Sequence, residues 1–440
     1  MFGYNVRIAL RSLRRNPGLT AVLVSGLGVG IGVAVTFATL RHAFASHPLP
    51  AKEATLRYVR LDSWDPQRSY PGRDGSGIPT QVTYRDMQAL TRSTIPSRQT
   101  ANFRATLFLT PEKGAGKPSA EQVRLCSSDF FAMFEAPFLH GGPWDRRADA
   151  GPEAVVVLTD EMNDRLFGGA NSVGKTVRLG GRDFRVVGVL DRWRPNIRVW
   201  DLTQQVVSLP EPFFLPFAHV LPMQIRTAGN VDGWGPSPGS GAEAFLRSES
   251  TWIQLWVELP DAAAEAAYRS FVEGYIAEQK KAGRFQRPLR YELTSIRDLM
   301  DEFGVLPAQV SALFLVGLFF LAVAAVNLIG LLLGKFLARA HEVGVRRALG
   351  ASRLDVFLQH IVECELVALL GGGVGVLLSL GAVAVINAWM KTVAPRGDLF
   401  RLDGEMLLAA LLLSVLAGLV AGTYPSFRAG RLAPALGLKE

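Results

Sequence analysis

The run Leu19-Thr-Ala-Val-Leu-Val-Ser-Gly-Leu-Gly-Val-Gly-Ile-Gly-Val-Ala-Val-Thr-Phe-Ala-Thr-Leu40 carries no charge. Its length matches the ~20 residues a helix needs to cross a ~30 Å hydrocarbon core. Working outward, Arg7, Arg11, Arg14 and Arg15 precede it and a long polar region, from about Ser46 to Glu302, follows it. Three further apolar runs come later, at residues 305–334, 366–390 and 406–422; the last is close to the ~17-residue lower limit for a span. Four spans are therefore expected.

Composition agrees with a mixed architecture. Of 440 residues, 49% are hydrophobic, too many for an ordinary soluble protein, while 20% are charged, too many for one lying wholly in lipid. The net charge of +8 does not indicate nucleic acid, because the basic residues cluster beside the apolar runs rather than along a polar helix with interleaved aromatics. Lys335, Arg339, Arg346, Arg347 and Arg353 lie between the second and third runs, and Arg428 and Arg431 follow the fourth. Lys and Arg accumulate on the cytoplasmic side, so both termini and the second loop are expected inside. The polar region and the short loop around Lys391 to Arg401 are expected outside. Ala43-Phe44-Ala45 satisfies a signal-peptidase rule, but the apolar stretch exceeds the ~7–15 residues of a signal peptide, which favours an uncleaved span. Val6, Ile8, Leu10 and Leu13 among the arginines suit a short interfacial helix stopped by Pro17.

The fold class that follows is an α-helical membrane protein with four transmembrane helices and a mixed α/β extracytoplasmic domain between the first two. The expected division is residues 1–45, 46–304 and 305–440. Within the outer domain, the spacing predicts a helix over Thr159 to Phe167 ended by Gly168-Gly169. A β-hairpin is expected around Gly180-Gly181, formed by residues 176–179 and 184–189. Trp252 to Leu259, Ala262 to Lys281 and Leu289 to Leu293 read as strand, amphipathic helix and strand, a β-α-β unit. Pro195 to Gly241, rich in Pro and Gly, reads as an irregular insertion. Cys126 and Cys364 give no metal spacing and fall on opposite sides of the membrane, so no disulfide is expected. Six scattered histidines offer no catalytic or metal constellation, and no enzyme is expected.

Gly169-Ala-Asn-Ser-Val-Gly174-Lys175-Thr176 matches the P-loop pattern letter for letter. A working P-loop follows a buried strand and opens a helix, whose N-terminus holds the phosphates. Here a predicted helix precedes the glycines and a strand follows, so a plain helix-to-strand turn is expected, with no nucleotide.

Between the second and third apolar runs stands Arg339-Ala-His-Glu342-Val-Gly344-Val-Arg346-Arg347-Ala-Leu-Gly350-Ala-Ser352-Arg353-Leu-Asp355. Gly350 supplies a helix stop, and Ser352 with Asp355 makes a capping-box-like start for the next helix. A topogenic basic loop would share these features. This stretch, however, resembles the coupling helix of the FtsX and MacB-like ABC transporter permease family, whose signature is close to R-x-x-E-x-G-x-x-R-A-x-G-A. Residues 6–17, Cys126-Ser-Ser-Asp-Phe-Phe131 with Gly141-Gly142, residues 166–189 and Tyr424 to Pro434 resemble other segments of that family. The Pro195 to Gly241 segment does not.

The resemblance implies a permease that contacts a separate cytoplasmic ATPase through Arg339, Glu342, Gly344, Arg346, Arg347 and Gly350. No cofactor would be bound by this chain, ATP being held by the partner. It further implies a second permease subunit, identical or different, and mechanotransmission along the second span to the outer domain. A periplasmic adaptor and outer-membrane channel are further partners of the export reading, in which a drug, peptide or lipid-linked substrate leaves the periplasm. Regulation of a cell-wall hydrolase, or lipoprotein release, are the alternatives. For helix packing, Gly26, Gly30 and Ala34 in the first run and Gly371 and Gly375 in the third have small-xxx-small spacing, suited equally to contacts within the chain or between subunits. Asn327 and Asn387 are polar positions within spans, and Glu363 and Glu365, at a boundary, are expected to be solvated.

Overall fold

The computed structural model describes residues 2–72, 76–111, 117–195, 197–204, 209–235, 239, 241–338, 340–393 and 400–430. Arg339, most of the loop around Lys391 to Arg401, and the tail from Arg431 lie outside them. The chain divides into two compact units, Met1–Ala45 with Leu306–Glu440, and Ser46–Val305.

In the helical unit, a short helix, Phe2–Arg15, is followed by the first long one, Pro17–Ala45. Proline is tolerated at a helix start because the amide hydrogen it lacks would have no partner there. Ala308–Leu337, Arg353–Val393 and Gly404–Gly430 complete the four helices, among the described residues, that are long and apolar enough to cross a membrane. Glycine lets these helices approach. Gly28 and Gly32 of the first helix meet Gly371 and Gly375 of the third so closely that a Cβ on Gly375 would stand 3.0 Å from the Gly28 carbonyl oxygen. Gly30 abuts Leu321 and Ala324, and Ala34 abuts Gly317, all on the second long helix. Lipid tails supply no hydrophobic drive between helices, so such close van der Waals packing carries the association.

The second unit is built on strands β1 (Leu56–Leu61), β2 (Val82–Thr83), β3 (Arg98–Thr110), β4 (Ser119–Cys126), β5 (Phe138–Gly141) and β6 (Val155–Leu158). They are joined by β7 (Thr176–Leu179), β8 (Arg182–Leu190), β9 (Phe213–Pro216), β10 (Thr251–Glu258) and β11 (Tyr291–Thr294). The main path runs β11-β1-β10-β3-β4-β9-β6-β8-β5, with β2 on β10 and β7 bridging β3 and β8. Alternation sends successive side chains to opposite faces. Val156 and Leu158 accordingly join one core with Phe103, Leu255 and Val257, while Val155 and Val157 join a second with Phe130, Trp200 and Trp256. Both faces are covered, which is why every residue of β10 is buried.

The expected local elements are found. The helix Asp160–Phe167 is capped by the Thr159 hydroxyl, which accepts from the Met162 amide, and ends at Gly168 with φ 64°. Gly180 and Gly181, with φ 56° and 80°, form the two-residue turn between β7 and β8; positive φ at both positions is the I′ geometry that matches strand twist. Two expectations need correction. The strands flanking the helix Ala262–Lys281 are not neighbours, because β1 lies between β10 and β11, antiparallel to both. This is a split β-α-β unit.

Nor is Pro195 to Gly241 simply an irregular insertion. It supplies β9, which runs parallel to β4 and antiparallel to β6 in the middle of the sheet. It also supplies three charges of a buried cluster. Arg124 on β4 reaches Asp201 at 3.0 Å and Glu211 at 2.5 Å, and Arg198 reaches Glu211 at 2.9 Å, all four side chains being at most 2% exposed. Asn102 accepts from Arg124, and Gln254 and Thr203 donate to Asp201. Burial pushes the Glu211 carboxyl up, but the Arg124 and Arg198 guanidiniums outweigh it and hold the group down at about 2. Burial also lowers Arg198, with Glu211 opposing it. A weakly periodic segment thus enters the core with its charges paired there.

Candidate functional site

The second long helix ends in an elbow. A helix of nine residues, Ala340–Ala348, follows it. Gly350 then turns the chain with φ 102°, its amide donating to the Arg347 carbonyl while the Ala351 amide donates to that of Arg346. This pair of bonds is a Schellman motif, and only glycine takes that φ without strain. Ser352 opens the next helix: its amide and hydroxyl donate to Asp355, whose amide donates back to the hydroxyl at 3.1 Å. The elbow is thereby stopped and restarted by its own hydrogen bonds, a fixed turn rather than a slack loop.

On the elbow, Glu342 and Arg346 are exposed, Arg347 is half-buried, Gly344 is buried and Gly350 is exposed at the turn. Arg339 lies outside the described residues. Arg15 of the first short helix pairs with Glu342 at 2.9 Å, and Arg346 donates to Gln359. The residues the sequence reading missed are apolar. Leu349 is 84% exposed and shares a face with Val345, 39% exposed, while Leu354 at the start of the next helix is 62% exposed. The signal was present as a leucine beside a glycine stop, where no helix face remains to bury it.

Beneath the elbow lies a joint that contradicts the expectation of a solvated Glu363. The Glu363 carboxylate takes a hydrogen bond from the Ser12 hydroxyl at 2.5 Å and pairs with the Lys335 ammonium at 2.5 Å. Lys335 and Glu363 are only 2% and 3% exposed. Phe336, Leu332 and Leu13 belong to the surrounding apolar cluster. Three segments, the short first helix, the end of the second long helix and the start of the third, meet at one carboxylate. Two opposite charges near facing helix ends were visible in the sequence, but their pairing needed the helices' rotation. Glu365 is half-buried against Gly418, where a Cβ would come within 2.9 Å of its carboxylate.

Among the packing candidates, Gly30, Gly371 and Gly375 sit in helix contacts, whereas Gly26 faces open space. Gly28 and Gly32 were missed because glycines at 26, 28, 30 and 32 give overlapping four-residue spacings that point in different directions. Asn387 clamps the backbone of Phe400, donating to its carbonyl and accepting from its amide. Asn327 is exposed and lines a groove with Gly26, Val29 and Phe320. The P-loop lookalike is a turn between the helix Asp160–Phe167 and β7. Its Gly174 and Lys175 amides donate to Val186 and Ser172, and the Lys175 ammonium lies over the Phe167 ring, so they do not form a phosphate cradle. Cys126 and Cys364 are both free and buried.

Comparison with known proteins agrees with this architecture. The model of the MacB-like periplasmic core domain matches residues 20–273, more than half of the chain, and that of the FtsX-like permease C-terminal matches residues 314–434. The macrolide export ATP-binding/permease protein MacB of Pasteurella multocida is 23% identical over 452 residues, covering 100% of this chain and 59% of its own length. The protein of the same name from Hyphomonas neptunium is 26% identical, covering 99% and 60%. The chain thus spans about three fifths of the length of these relatives. The crystal structure of the periplasmic region of MacB from Actinobacillus actinomycetemcomitans is 14% identical, covers 57% of this chain and 94% of its own, and superposes with a TM-score of 0.36. With one family model matching more than half of the chain, a second spanning the elbow, and four helices among the described residues fit to span a bilayer, this chain belongs to the FtsX-like, MacB-like family of ABC transporter permeases.

Proposed function

We propose that the chain works by mechanotransmission: an ATPase outside these 440 residues grips the elbow, and closure of that ATPase moves the second span and the core domain beyond it. The observation that carries this reading is the elbow itself. It presents exposed Leu349 and Val345 beside Glu342 and Arg346 on a turn held at both ends by capping bonds. An exposed apolar patch rimmed by charge is a mark of a protein interface, and a rigid turn transmits displacement where a slack one absorbs it. In this reading the elbow and both termini face the cytoplasm, as the arginine distribution requires, and the core domain stands outside the inner membrane.

A second permease copy fits the groove that holds Asn327. A polar side chain facing lipid is costly, and Asn327 beside the open Gly26 can be satisfied by close approach of another helix. The export function printed for the relatives makes removal of an amphipathic small molecule the first substrate class to test, with peptides and lipid-linked molecules next. A periplasmic adaptor and outer-membrane channel belong to the same proposal.

The test is co-purification from native membranes, comparing wild type with Leu349→Asp. At 84% exposure the substitution disturbs no packing in this chain. The expected result is an ATPase that copurifies with wild type and is lost from the variant, while membrane insertion is unchanged. A variant that keeps its ATPase and its transport would remove the elbow from the coupling path.

A further inference from the structure

The short first helix, Phe2–Arg15, is held against the helical unit by one side. Ala9, Ser12 and Leu13 are buried, the Ser12 hydroxyl is bound to Glu363, and the Leu13 carbonyl accepts from the Thr20 hydroxyl at 3.0 Å. With that side fixed, the helix cannot roll. Its outward side then carries Arg7, Arg11 and Arg14, all exposed, at spacings of four and three that place them in one stripe. Among the described residues none of the three has a hydrogen-bond or ion-pair partner. Arg15, by contrast, is paired with Glu342.

A solvated basic face would account for the arginines alone. It does not account for Leu10, 44% exposed, which stands three residues after Arg7 and four before Arg14 and is therefore bracketed by guanidiniums. Nor does it account for Tyr4, 67% exposed one turn before Arg7. An exposed leucine and tyrosine among unpaired arginines form an amphiphile's complement: apolar groups for acyl chains, a tyrosine for the interfacial zone, cations for phosphates. Pro17 opens the first spanning helix one residue beyond Asn16, which places the short helix within a turn of the bilayer surface.

We propose that Arg7, Arg11 and Arg14 form a docking stripe for the headgroups of anionic phospholipids, with Leu10 and Tyr4 entering the interface between them. Guanidinium binds phosphate through paired hydrogen bonds as well as charge, so the stripe selects phosphatidylglycerol over phosphatidylcholine, whose phosphate is already neutralised by choline. The Ser12–Glu363 bond orients the stripe, and the lipid in turn holds that helix against the joint.

The test uses the full chain in neutral detergent, with lipids bound counted by native mass spectrometry during titration with dioctanoyl-phosphatidylglycerol or dioctanoyl-phosphatidylcholine. Each arginine near an anionic surface contributes about fivefold in affinity, so Arg7→Gln, Arg11→Gln and Arg14→Gln combined should weaken phosphatidylglycerol binding on the order of 100-fold. Phosphatidylcholine binding should stay level, and the matching lysine triple variant should retain most of the preference. Leu10→Gln should weaken the lipid without changing competition by free glycerol phosphate. Equal binding of both lipids by wild type, undiminished preference in the glutamine variant, or full competition by glycerol phosphate would each overturn the proposal. All four side chains point outward, so melting in neutral detergent should be unchanged, and a variant that melts early is replaced by the single substitutions. No ATPase or nucleotide enters the assay, so its outcome is independent of the coupling reading.

Discussion

In the core domain four charges, Arg124 of β4 with Arg198, Asp201 and Glu211 of the segment before β9, are buried together; in the helical unit two, Lys335 and Glu363, are buried with one hydroxyl. Both clusters join segments far apart in sequence, and both sit among apolar side chains. They differ in their neutral helpers. Asn102, Gln254 and Thr203 share the hydrogen bonds of the sheet cluster, so removing any charge leaves several groups short of partners. At the helical joint Lys335 and Ser12 both bind the same Glu363 oxygen. A buried pair stripped of one partner is strongly destabilising, whereas its replacement as a unit by apolar side chains is often tolerated. The sheet cluster is therefore a structural keystone, and the helical joint a clasp that sets geometry.

The largest effect is expected from breaking either cluster on one side. Arg124→Met should cost the core domain roughly 3–5 kcal/mol, as should Lys335→Met in the helical unit. The contrast is sharpened by a double variant, Lys335→Met with Glu363→Leu, which should recover most of the lost melting temperature. A double variant melting no higher than the single one would show that the joint is as intolerant as the sheet cluster.

Acid should separate the two regions next. Glu211 is held down at about 2 in the folded domain against an ordinary carboxylate value near ~4.3. A depressed carboxylate contributes stability that is fully present above its unfolded value and is lost as pH falls through the folded one. Between about pH 4.3 and 2 the core domain should therefore lose on the order of 3 kcal/mol from this group. All eight tryptophans except Trp389 belong to the core domain's unit, so tryptophan fluorescence during an acid titration reports on it. Glu211→Gln should flatten that part of the profile; an unchanged profile would mean that another group controls acid unfolding.

The smallest effect concerns helix packing. A Cβ on Gly375 would meet Ile31 at 2.8 Å, whereas one on Gly26 meets nothing within 4 Å. Gly375→Leu should destabilise the helical unit by about 1–3 kcal/mol through overpacking. Gly26→Leu should leave the melting of an isolated chain unchanged while weakening any association through the Asn327 groove, measured by mass photometry in detergent.

Much was legible from local pattern. Apolar length marked four helices, the turn chemistry of Gly180-Gly181 and of Thr159 marked a hairpin and a helix start, and Gly350 with Ser352 and Asp355 marked the elbow's two ends. The P-loop lookalike could be set aside because the helix and strand around it stood in the wrong order. Each of these depends on residues within a few positions of one another, where backbone sterics and short-range hydrogen bonds dominate. What was missed depends on distance. The segment from Pro195 to Gly241 read as an irregular insertion because its periodicity is weak, yet it supplies the central strand β9, whose partners β4 and β6 come from elsewhere in the chain.

The sequence by itself determined that this chain spans a membrane, where its folded domain interrupts the spans, and where its elbow turns, because hydropathy and capping act through neighbours. Only the tertiary structure decided which glycines touch, that Glu363 is buried against Lys335, and that Arg124 pairs with Asp201 and Glu211 from a Pro/Gly-rich stretch. Those outcomes turn on the rotation of helices about their axes and the order of strands in a sheet, and both are settled by contacts between distant residues, such as Ser12 and Glu363, 351 positions apart.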